Sequence, residues 1–306
     1  MESVVTFASA WVNGDSFESS LRMASIDPHS NAAYSARFIV PSGSALMIDA
    51  GARLLSVANQ LCRCTKKVVL DFEDGLSGTM GYLDRMGFFD MLDQRIEVLP
   101  ERPAISGASV YGGSNRNLVE FRGLNPSAID KELPGQLADS LKNSLRSSVG
   151  NGEQLGDAAF MIFSELIQNV YRHSETELDG YAALQLYRGR ARNVQVAVSD
   201  CGLGIMETLR PTLKTHFPAL VKAGDAALLI EMVSKGISRF GRDNGCGINL
   251  CARKALSLNA SMEIRMPKSR VVFRPSTDRR YLGIVSYSED LPLIWGTHIC
   301  LTIQLD

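Results

Sequence analysis

The sequence predicts an α+β chain of two domains: a small α/β domain, then a two-layer sandwich of helices on a mixed, mostly antiparallel sheet. Three observations predict it. Segments of strand and helix period alternate β-α-β-α-β between Ala36 and Pro100. Pro103, Gly107, Gly112, Gly113 and Pro126 then mark linker or hairpin chemistry. Beyond them the pattern changes to a long amphipathic helix, two strands, a helix-rich stretch and a closing run of strands.

Residues 1–35, rich in Ser, Asn and Ala, stay unassigned. ARFIVP, beginning at Ala36, is strand-like, and ALMIDAGARLLSVANQLC has apolar residues at helical spacing. KKVVLDF reads as a buried strand, TMGYLDRMGFFDML as a second helix and RIEVLP as a third strand. The first domain is placed at 36–125 and the second at 126–306, with the boundary between about 105 and 130. A helix is expected over Leu137–Val149, interrupted by the three glycines of SVGNGEQLG. Asp157 is the expected N-cap of AAFMIFSELIQNVYRH, whose Phe160, Phe163, Ile167 and Val170 form an apolar stripe. Strands YAALQLY and NVQVAVSD follow, joined by the basic turn Arg188–Arg192. Helices are expected over 205–256, then strands at SMEIRM, RVVFR, LGIVSY and THICLTIQL.

A hydrophobic content of 45% with 21% charged residues is that of a globular protein. The net charge of −1 supplies no basic field, so neither nucleic acid nor an anionic membrane is an expected partner. Cys62 and Cys64 form a lone C-x-C without a second pair, which argues against zinc and for free thiols in a reducing cytosol. The apolar run at the N-terminus is short for a signal peptide, and no stretch approaches the ~18 apolar residues of a membrane span. The expectation is a cytoplasmic protein.

Three motifs carry chemistry. In S-E-L-I-Q-N-V-Y-R-H, Glu165 and Asn169 are four apart and share a helical face. The amide oxygen of Asn169 is a hard ligand suited to Mg²⁺, and Glu165 can orient or deprotonate a water. Taken alone, the pair is also an ordinary solvated face. V-S-D-C-G-L-G-I follows a strand: Asp200 can accept from an exocyclic amino group, and Gly202 and Gly204 permit close approach or positive φ. Alone, it is equally a tight turn. G-R-D-N-G-C-G-I-N-L places Gly241, Gly245 and Gly247 before a helix, where free N–H groups can meet phosphates, or where a loop simply starts a helix. It is no Walker loop, because no Gly-Lys-Ser/Thr follows.

In this order the motifs resemble the GHKL superfamily with its Bergerat ATP-binding fold, over about residues 130–306. Glu165 and Asn169 match its N box, Asp200–Gly204 its first glycine box and Gly241–Gly247 its second. Gly296-Thr297 looks like its final Gly-Thr element. The resemblance implies ATP and Mg²⁺ as ligands, with Asn169 holding Mg²⁺ and Asp200 reading adenine. It gives Gly202 and Gly204 the pocket wall, Gly241, Gly245 and Gly247 the phosphates, Thr297 the adenine end and Glu165 the catalytic role. Arg242 and Lys235 fall near the phosphate loop but read as surface cations.

His29, His173, His216 and His298 lack the phosphoacceptor context of histidine kinases. E-L-I-Q-N-V-Y-R-H is instead similar to the N box of anti-sigma-factor serine kinases, and VVLDFEDGLSGTMGYLDRMGFFDML resembles the strand-loop-helix of STAS domains. The usual Asp-Ser-Ser-Gly acceptor loop of STAS domains is absent, with Ser77 or Thr79 as approximate substitutes. The implied function is a Mg-ATP-binding regulator with slow hydrolysis or Ser/Thr phosphoryl transfer, working with a protein partner and open to homo-oligomerisation. A non-catalytic ATP-dependent switch and an ATPase subunit of a larger stress or defence complex stand as alternatives.

Overall fold

Residues 1–114, 118–125, 127–145, 152–189, 192–236, 247–277 and 282–305 are described by the computed structural model. The chain is mixed α/β, compatible with the α+β class. It divides into two units: Met1–Asn115 with Glu120–Gly123 and Leu291–Ile294, and Arg116–Val119 with Leu124–Asp290 and Trp295–Asp306.

The first unit begins within the stretch left unassigned from sequence. It runs β1 (Glu2–Thr6), β2 (Trp11–Val12), α1 (Gly14–Met23), β3 (Ser35–Val40), β4 (Ala45–Leu46), α2 (Ile48–Arg63), β5 (Lys67–Phe72), α3 (Thr79–Arg85), α4 (Phe88–Met91), β6 (Glu97–Leu99) and α5 (Gly107–Tyr111). Strands β1, β3, β5 and β6 form a parallel sheet in that order, and β2 pairs with β4. Parallel neighbours need crossovers, which the intervening helices supply. The expected helix over 79–92 is two, because Gly87 turns the chain at φ +75.

Three buried or half-buried cations organise this unit. Arg53 on α2 pairs with Glu18 on α1 at 3.3 Å, their side chains 2% and 5% exposed. A Cβ at Gly14 would lie 2.6 Å from Arg53 Nη1, so the guanidinium would have to shift to admit one. Lys66 Nζ donates to the carbonyls of Pro28, Ser30 and Ala33 at 2.6–2.9 Å, tying down a segment without regular structure. Arg102 donates to the carbonyls of Phe89, Leu92, Asp93 and Ile96. The segment Leu291–Ile294 joins the unit through Leu293 N–H, which donates to Asp27 Oδ2 at 3.3 Å.

The second unit comprises β7 (Leu118–Leu124), α6 (Leu133–Leu145), α7 (Gly152–His173), β8 (Gly180–Tyr187), β9 (Asn193–Ser199), α8 (Gly204–His216), α9 (Asp225–Lys235), α10 (Gly247–Ser257), β10 (Ala260–Met266), β11 (Ser269–Pro275), β12 (Leu282–Ser288) and β13 (His298–Gln304), with Glu120–Gly123 of β7 counted in the first. The sheet order is β12-β11-β10-β13-β9-β8-β7. From β8 through β9, β13, β10 and β11 to β12, each neighbouring pair is antiparallel. Val194, Val196 and Val198 of β9 and Ile299, Leu301 and Ile303 of β13 bury one face, in one core with Phe163 and Ile167 of α7.

Three sequence expectations need correction here. Helix α7 starts at Gly152 and runs through Gly156, so Asp157 lies in its interior and is no N-cap. A glycine inside a helix costs only about 1 kcal/mol, and packing on α6 overrides it. A Cβ at Gly156 would sit 3.3 Å from Lys142 Cδ of α6. Phe160 is 48% exposed and leaves the apolar stripe that Phe163, Ile167 and Val170 form. The expected linker also holds α5 and β7. Among the described residues, no helix is long and apolar enough to cross a membrane, and Cys62, Cys64, Cys201, Cys251 and Cys300 are free thiols.

Arg53→Ala strands the buried Glu18 carboxylate. Urea unfolding of this variant should show the first unit weakened by about 3–5 kcal/mol, and replacing both partners by apolar residues should recover most of the loss.

Candidate functional site

The site grows out of the β9–β13 pairing. Past the last register pair, Ser199 with His298, the Asp200 N–H donates to Thr297 O at 2.8 Å. Thr297 Oγ1 in turn accepts from Ile205 N–H at 2.9 Å, in the first turn of α8. Gly296 and Gly204 carry φ of +88 and +78. A Cβ at Gly296 would lie 1.8 Å from Asp200 O, and one at Gly204 3.0 Å from Thr297 Oγ1. Both the backbone angle and the space therefore demand glycine.

Helix α7 is docked on this turn through the residue that follows it. Leu203 N–H donates to Ser174 O at 2.9 Å, and a Cβ at Gly202 would fall 1.7 Å from the same oxygen. Asn169, one turn back on α7, thereby comes to the same recess as Asp200 and Thr297. The walls are apolar: Leu166 and Val170 from α7, Val198 and Ile299 from the sheet, Ile205 from α8 and Ile248 from α10. The recess encloses about 360 Å³ of atom-free space, part of it open to solvent. An apolar slot with a few convergent polar groups is the usual form of a small-molecule site.

Glu165 stands at the first residue of α10. A Cβ at Gly247 would lie 2.4 Å from Glu165 Oε1 and 3.6 Å from Asn169 Nδ2. Cys251, one turn further along α10, contacts Ile162 O at 3.8 Å. Burial, and then the negative charge of Glu165, pushes its thiol well above the usual range.

Asp200 is only 5% exposed. Burial pushes its carboxyl up to about 6, against the opposing hydrogen bonds from the backbone of Gly202, Gly204 and Thr297. The Gly202 N–H donates to Oδ1 at 2.8 Å.

The structure thus brings together Glu165, Asn169, Asp200, Gly202, Gly204, Gly247 and Thr297. Gly241, Gly245 and Arg242 lie outside the described residues. Lys235, at the end of α9, pairs with Glu231 at 2.7 Å on the surface. Ser174, Ile248 and the apolar walls were not singled out from the sequence. Ser174 had a signal of sorts, as the first residue past the helix that ends at His173, but its partner was not readable.

A carboxyl group raised from 3.8 to about 6 holds its proton in the folded chain while the unfolded chain releases it. Its contribution is therefore most favourable near pH 4 and is lost as pH rises through 6. Asp200→Asn should accordingly stabilise the protein by about 2–3 kcal/mol at pH 8 and change little at pH 4, as read from unfolding curves at the two pH values.

No protein-family model, curated protein or solved structure matches this chain.

Proposed function

We propose that the second unit is a Bergerat-type domain that binds Mg-ATP. In this reading the chain is a cytoplasmic regulatory protein with slow hydrolysis or phosphoryl transfer to a Ser/Thr of a protein partner. One observation carries it: Asn169, Asp200 and Thr297, from three separate motifs, converge on a single apolar recess edged by glycines that leave no room for a side chain.

The residues suit an adenine nucleotide. The apolar walls match the faces of a flat base, and the buried Asp200 carboxylate would accept a hydrogen bond from its amino group. Asn169 would hold Mg²⁺, and the backbone around Gly247, opening α10, would face phosphate. When bound, Mg-ATP supplies a phosphoryl group activated for transfer. Glu165, the carboxylate beside Asn169 and Gly247, would orient or deprotonate the attacking group.

The first unit is read as a STAS-like partner module. Of its two candidate acceptors, Ser77 is exposed on the turn after β5, while Thr79 is buried and donates to Ser44 O.

Calorimetry tests the nucleotide assignment. ATP binding should be abolished in Asn169→Ala and in Asp200→Asn, and wild-type affinity should fall as pH drops below about 6, where Asp200 takes up a proton. Unchanged affinity in both variants would sink the assignment. Incubation with γ-labelled ATP, with and without candidate partners, then sorts the outcomes. Label on protein marks a kinase, free phosphate an ATPase, and neither a switch.

A further inference from the structure

Strand β12 closes one end of the seven-stranded sheet. It pairs with β11, and among the described residues no strand lies on its outer side. Ile284 is 47% exposed, Val285 51% and Tyr287 63%, so successive positions of the strand show apolar side chains to solvent. Its sequence, L-G-I-V-S-Y-S, has neither charge nor proline, the usual guards of an open edge. The guard it does have is a bulge. Val272 pairs with Ser286 and Phe273 with Ile284, which leaves Val285 without a partner on β11. A bulge shortens the edge that can pair but does not cover it.

We propose that β12 pairs antiparallel with β12 of a second copy of this chain, about a two-fold axis at Ser286. An edge strand presents a row of open N–H and C=O groups, which another edge completes. The residues along β12 complement themselves in this register. Val285 stands opposite the partner's Tyr287, and symmetry repeats the contact, so a β-branched–aromatic pair forms twice. Gly283 stands opposite the partner's Glu289. On the inner side of Gly283, in the same row, is the exposed Arg274 of β11. Glycine puts no side chain between these two charges. Their Cα atoms, two strands apart, are separated by about 10 Å, a gap that arginine and glutamate span together. One strand buries less area than an obligate dimer does, so the association is reversible and set by concentration. Both copies use the same edge, so assembly closes at two.

Sedimentation velocity over a dilution series tests the association. Wild type should pass from monomer to dimer as concentration rises. Ser286→Lys sets two like charges face to face at the axis and should weaken the dimer roughly tenfold. Ser286→Glu is read in the same way should the lysine variant fail to fold. Arg274→Glu should weaken the dimer as well, and adding Glu289→Arg should restore it. Mild oxidation with diamide tests the register. Ser286→Cys should form an interchain disulfide, because residues directly opposite in an antiparallel pair lie within disulfide reach. Ile284→Cys should not, since its two copies stand about 13 Å apart along the strands. A wild type that stays monomeric throughout overturns the proposal, as does a dimer that both charged variants at 286 leave intact. Cross-linking no greater in Ser286→Cys than in Ile284→Cys overturns the axis at Ser286.

Discussion

One hydrogen bond past the end of two paired strands holds the candidate site together. When Asp200 N–H reaches Thr297 O, the β9–β13 ladder continues into the turn, and the two chains come too close for side chains at 204 and 296. The same bond seats the Asp200 carboxylate among Val198, Ile205 and Ile299, where water cannot stabilise its charge. Backbone N–H groups answer that cost only in part, so burial leaves the carboxyl pushed up to about 6. From the turn the order spreads outward. Ser174 is held by Leu203, α7 is fixed by Ser174, and Asn169 and Glu165 take their places from α7.

Both units bury charged side chains. In the first, cations are met in full, Arg53 by Glu18, and Lys66 and Arg102 by three and four carbonyls. Such sites fix chain geometry, because a guanidinium or ammonium accepts only a narrow arrangement of oxygens. In the second, Arg265 is fully buried and donates to the carbonyls of Met266 and Pro267, while Asp200 is a buried acid in an apolar recess. Perturbed carboxylates of that kind gather where proteins do chemistry or bind.

The sequence made the second unit far more legible than the first. Val194, Val196 and Val198 alternate on the face that packs against the helices, so β9 was readable, and with it Asp200 at its end. Glu165 and Asn169 could be placed on one face from their spacing alone. Gly156 misled, since local propensity predicts a break while α6 packs closely enough to keep the helix running. Phe160 misled for a related reason: periodicity shows which residues share a face but not how far the neighbouring elements cover it. Residues 1–35 were opaque because their order comes from distant partners. β1 is built by pairing with β3, and the loop before β3 is held by Lys66. The recess was visible only in its polar members, as its apolar walls look like any core.

The short return of Leu291–Ile294 to the first unit has a consequence for how the chain is made. A ribosome completes every strand of the parallel sheet before it starts the second unit, yet the residue that caps Asp27 arrives 266 positions later. The first unit can collapse early, but Leu291–Ile294 joins it only after most of the second unit has been made. Closing so long a loop costs little more than closing a loop of half its length, so the delay is one of timing and not of stability. A nascent chain that stalls in the second unit therefore lacks this contact to Asp27. The finished first unit thus reports that translation has passed residue 294.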